Sequence, residues 1–106
     1  MPEALLEETA MQLVKDLKSA GFDPVFSPGS YGELFDQLRA IISEQLTSGS
    51  SKLMQLLYRV DLEEKKLEHS LRSHSGIEPA EIISRLIVER EYQKAVTRRL
   101  HAGGRL

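Results

Sequence analysis

His69, His74 and His101 are the residues of this chain best suited to hold a metal or move a proton near neutral pH. His69 and His74 stand five residues apart, which on a helix sets them about 140° apart around the axis, too far to share one ion. The H-E-x-x-H pattern of zinc proteases and the Glu-x-x-His pair of di-iron bundles are both missing. The histidines are therefore expected on the surface, with no metal and no cofactor.

Nucleophiles fare no better. The chain has no cysteine, which removes a thiolate nucleophile, disulfides, iron–sulfur clusters and cysteine-ligated zinc. No serine lies in a G-x-S-x-G turn, and no Ser, His and acid can be grouped by position. Gly29 and Gly32 flank a helix start, but no strand precedes them and no Gly-Lys-Ser/Thr follows, so they do not make a phosphate-cradling loop. No catalytic residue is assigned, and the chain is read as a non-enzyme.

Charge is the next candidate. The net charge of -2 excludes a polycation built to coat nucleic acid. Its distribution is uneven: residues 1–53 carry four basic against eight acidic side chains, and residues 54–106 carry ten against eight. From Arg85 onward Arg85, Arg90, Lys94, Arg98, Arg99 and Arg105 face only Glu89 and Glu91. One explanation is the preference of a helix C-terminus for cations, together with a match to the acidic first half within or between chains. The sharper one is phosphate contact through Arg90, Lys94, Arg98 and Arg99, the first three spaced by four along one helix. Tyr92 is the only interleaved aromatic residue, and no convincing helix-turn-helix spacing accompanies it. A nucleic-acid-binding regulator is therefore the alternative reading.

Phe22, Phe26, Tyr31 and Phe35 are four of six aromatic residues and fall within one loop and the helix start after it. The loop either folds back as a lid on the core, led by Phe22, Val25 and Phe26, or offers an apolar surface to a partner. Arg59, Asp61 and the run Glu63, Glu64, Lys65, Lys66 and Glu68 read as caps and a solvated face.

The elements that must position these residues are helical throughout. Leu6, Ala10, Leu13, Val14 and Leu17 mark one amphipathic helix from Glu3 to Ala20, ended by Gly21. Two prolines and two glycines make 21–30 a loop. Ser30 and Glu33 fit a capping box for a second helix carrying Leu34, Leu38, Ile41, Ile42 and Leu46 to about Thr47. Ser50 or Ser51 caps a third segment.

From Ser51 to Ser73 two readings compete. One long helix, straight or kinked, follows from Leu53, Leu57, Val60, Leu67 and Leu71 and from the lack of Gly or Pro between Leu53 and Ser70. A bend at Tyr58-Arg59-Val60 with Asp61 capping a fresh helix is the other, and the single helix is preferred. Pro79 opens a last helix to about His101, with Ile77 and Ile82 as a hydrophobic staple and Gly103-Gly104 as its end.

The 106 residues, 41% apolar and 28% charged, are thus expected to form one domain: an all-α compact bundle of four to five helices with a long middle helix. Val88, Tyr92 and Ala95 add a second apolar row to the last helix, more than one bundle core is expected to cover. This points to a symmetric homodimer through the final or middle helix. The expected function is a non-catalytic module that binds protein or itself, with Phe22, Phe26, Tyr31, Val88 and Tyr92 as candidate surface. The longest stretch free of charge, Pro24 to Gly32, cannot span a membrane. The acidic opening lacks the basic start of a secretory signal, and a cytoplasmic location is expected.

Overall fold

The computed structural model of the chain describes residues 2–49 and 51–103. Ser50, one of the two expected caps, and Gly104 and Arg105 lie outside them. A 3-10 turn over Glu3–Leu5 leads into α1 (Leu6–Ser19), followed by α2 (Tyr31–Ser48), α3 (Lys52–Val60), α4 (Glu64–Ser73) and α5 (Pro79–His101). Among the described residues there is no strand, so the all-α bundle expected from the periodicity is the fold that forms. None of these helices is long and apolar enough to cross a membrane.

Local chemistry sets several helix ends. Gly21, at φ +94°, closes α1: Phe22 N–H reaches Leu17 O at 3.0 Å and Gly21 N–H reaches Lys18 O at 3.1 Å, the paired bonds of a Schellman ending. Ser30 Oγ accepts from Glu33 N–H at 3.1 Å, as a capping box requires. The return bond is displaced by one residue, because Glu33 accepts from Gly29 N–H instead. Ser51 sits before α3 with helical backbone angles and no side-chain cap, unlike the cap expected of it.

The long middle helix does not form. The chain turns at Asp61, the one non-glycine residue with positive φ among those described, at φ 63° and ψ 49°. Leu62 N–H reaches Leu57 O at 3.2 Å and Asp61 N–H reaches Tyr58 O at 3.1 Å, so Asp61 stands where Gly21 stands in α1. The break needs no glycine because aspartate tolerates the left-handed region better than most residues. Asp61 therefore ends α3 and does not cap α4, whose first residue follows Glu63 with no side-chain cap.

Helix α5 packs against each of the other four. Leu13 and Leu17 of α1, Leu34, Leu38 and Ile42 of α2, Leu56 and Val60 of α3 and Ile87 of α5 are fully buried in one cluster. Each such side chain is worth about 1.5–3 kcal/mol relative to exposure. With α1 and α2 both packed on α5, the bundle covers the second apolar row too: Val88 is 3% exposed and Ala95 4%. The feature that suggested a second chain on α5 is thus satisfied within one chain.

Candidate functional site

Helices α1 and α5 meet along a ladder of polar side chains. Glu8, Gln12 and Asp16 recur every four residues on α1, one stripe over from its leucines. Arg99 lies 3.2 Å from Glu8, Arg98 donates to Gln12 Oε1, and Lys94 Nζ lies 2.7 Å from Asp16 Oδ2. The numbers rise on α1 as they fall on α5, so the ladder fixes an antiparallel register. Lys94 also donates to Arg59 O at 3.3 Å and Val60 O at 3.4 Å, carbonyls that the end of α3 leaves without intrahelical partners. Arg90 closes the next bend, with its guanidinium 3.3 Å from Asp61 Oδ2 and its Nε donating to Asp61 O.

Glu91 is the most deeply buried member of this group, with no exposed surface. Lys94 Nζ lies 3.1 Å from Glu91 Oε1 without hydrogen-bond alignment, and both carboxylate oxygens lack a donor. Burial, reinforced by the neighbouring Asp16 carboxylate, pushes the Glu91 carboxyl up to about 8 against the pull of Lys94. The raised value favours the protonated form of Glu91 beside Asp16, while Lys94 is the cation paired with the Asp16 carboxylate. Sequence reasoning entered Glu91 only as a charge to be counted. The matching four-residue spacing of Glu8, Gln12 and Asp16 with Arg90, Lys94 and Arg98 was the available signal.

The aromatic loop is pinned at both ends. Phe22 packs on the core with Lys52 Nζ 5.6 Å from its ring centroid. Tyr31 donates to Pro2 O at 2.8 Å and meets Tyr92 edge-on, with centroids 6.3 Å apart. Between them burial alternates: Phe22, Pro24, Phe26 and Pro28 turn partly inward, while Asp23, Val25 and Ser27 face out. Val25, expected in the lid, is 91% exposed. Residues 21–30 form the loop expected of them, and the two-residue period of Phe-x-Pro-x-Phe-x-Pro within it follows this alternation of burial.

An open groove of ≈ 820 Å³ runs between this segment and the outer face of α1. Ala10, Met11, Val14 and Phe26 form its apolar middle, with Glu7 toward one end and Lys15 and Lys18 toward the other. Met11, 64% exposed, is the ridge between this groove and a smaller hollow of ≈ 300 Å³ bounded by Ala95 and Arg98. On α5, Arg90, Lys94, Arg98 and His101 share a shallow face, whereas Arg99 turns toward Glu8.

Of the residues singled out from sequence, Phe22, Phe26, Tyr31 and Tyr92 are half-buried and Val88 belongs to the core. The structure brings Tyr31 and Tyr92 together and places Phe26 on the groove wall. All three histidines are exposed. Among the described residues, the His69 ring pairs with Ser73 Oγ and the His74 ring with Ser70 O, both on α4. Among the described residues no three His, Asp or Glu side chains come together as a metal site. No protein-family model, curated protein or solved structure matches this chain.

Proposed function

We propose that the chain is a non-catalytic helical module that docks protein on the outer face of α1. The observation that carries this reading is the groove itself: exposed Met11 with Ala10, Val14 and Phe26, bordered by charges of both signs. An adaptable methionine ridge with polar ends suits a helix or extended peptide laid along it. A cytoplasmic setting belongs to the same proposal and fits a chain without cysteine. A photo-crosslinking amino acid placed at Met11, and for comparison at exposed Glu68, tests it in the native cell. Protein adducts at position 11 but not at 68 are expected; equal yields at the two positions would remove the docking reading.

The competing reading, phosphate contact, is favoured by one observation, the shallow α5 face shared by Arg90, Lys94 and Arg98. All three are already engaged by Asp61, Asp16 and Gln12, so a nucleic acid has to displace or share those bonds. Retention on DNA or RNA that falls steeply with salt and is lost in Arg90→Ala supports it; no retention at low salt ends it.

A further inference from the structure

We infer that the occupant of the α1 groove is a second copy of this chain, its α1 laid antiparallel on the first about a two-fold axis at Met11. This deepens the docking reading above and rests on it. Helix α1 carries two polar stripes. The inner one, Glu8, Gln12 and Asp16, is answered by α5. The outer one, Glu7, Lys15 and Lys18, lines the groove, and among the described residues none of the three takes part in an ion pair.

Glu7 and Lys15 stand four residues before and after Met11, so each lies about 6 Å along the axis from it and about 12 Å from the other. They are too far apart to meet within one helix. A second α1 running the opposite way, related by a two-fold axis at Met11, sets each Glu7 opposite the other copy's lysine at position 15. It also lays Met11 against Met11 and brings Ala10 and Val14 into the seam. A parallel copy sets glutamate on glutamate and lysine on lysine, so the charges select one orientation. The helix dipole rewards the same order of charges within α1 and again favours antiparallel neighbours. It gives no account of the exposed methionine between them. Self-complementarity of one patch is what a two-fold interface demands. One helix face is a small interface, so the dimer is weak and reversible.

The test is sedimentation equilibrium of the full chain up to about 1 mM at low and high salt, with circular dichroism to confirm that each variant folds. Wild type is expected to show a concentration-dependent dimer that salt weakens. Glu7→Lys alone and Lys15→Glu alone lose at least about tenfold in self-association, because like charges then face each other twice. An equal mixture of the two single variants recovers it, since one chain is then basic at both positions and its partner acidic. The double variant E7K/K15E recovers it as well. A wild-type chain monomeric at the highest concentration, single variants that dimerise as wild type does, or a mixture no better than its components would overturn the proposal. Adducts from position 11 to other proteins, with the chain monomeric, remove self-pairing and leave the docking reading standing. Neither adducts nor dimer removes both.

Discussion

Helices α1 and α4 are both rich in charge and both amphipathic, yet the fold treats them differently. Seven residues of α1 are buried, among them Thr9, Gln12 and Asp16, whereas α4 buries none. The inner stripe of α1, Glu8, Gln12 and Asp16, meets α5 in a seam, and there the buried Asp16 carboxylate must find a partner. The charges of α4 stay solvated, with Leu67 and Leu71 only partly sunk against the core. A charge therefore acquires a structural role here through its neighbours, and its position in a helical repeat is not enough. Glu68 and Asp16 look alike in sequence and differ in consequence.

The largest effect expected from this contrast is the replacement of Lys94. Lys94→Met leaves the Asp16 carboxylate, 9% exposed, without its cation and strips two α3 carbonyls of their donor. It should cost about 3–5 kcal/mol in urea denaturation, whereas Lys66→Met on exposed α4 should stay within about 0.5 kcal/mol. Equal losses from the two would break the distinction between seam and arm.

A somewhat smaller effect comes from pH. The Glu91 carboxyl is raised from 4.5 to about 8 in the folded chain, so the folded state holds a proton that the unfolded state releases between those values. Its contribution is whole below about 4.5 and is lost as pH rises through about 8. The shift caps the loss at about 5 kcal/mol across that window, and a loss on the order of 2–4 kcal/mol is expected once the buried site relaxes around the charge. Glu91→Gln, neutral at every pH, should flatten the slope of unfolding free energy between pH 5 and 8.5. A slope unchanged in that variant would show that Glu91 is not the group responsible.

The smallest effect sharpens the boundary between the two regions. Asp61→Val places a β-branched residue at φ 63° and removes the carboxylate facing Arg90, at a cost of about 1–3 kcal/mol. Asp61→Asn keeps the tolerance for that backbone and loses only an exposed ion pair, about 0–1 kcal/mol. Similar melting temperatures for the two would mean that backbone strain at this position is not what decides where α3 ends.

Much of the fold was legible. The span of α5, the Ser30 cap of α2 and the Gly21 ending of α1 rest on local rules that involve residues a few positions apart, and these hold in the structure. The break after Val60 was legible only as the less favoured of two readings, and with Asp61 in the wrong role. The Asp61 carbonyl and carboxylate accept from Arg90, and Lys94 binds the carbonyls of Arg59 and Val60 just before it. Both partners are about thirty residues away in sequence. The groove was half legible: Phe26 stood out by type, while Met11 was not among the residues singled out in the first helix. Sequence periodicity does not say which flank of α1 the other helices will cover.

By itself, then, the order of residues determined that this chain is helical, where most of its helices start and stop, and that it carries opposite charges on its two ends. Those properties depend on backbone geometry, capping and hydrophobic period, all of which act over a turn or two. Tertiary structure alone decided that α5 lies against α1 and α2 at once and that Glu91 is sealed beside Asp16 and Lys94. It also decided that the face of α1 bearing Met11 stays uncovered. Burial is a property of what packs against a side chain, and those neighbours come from distant parts of the chain.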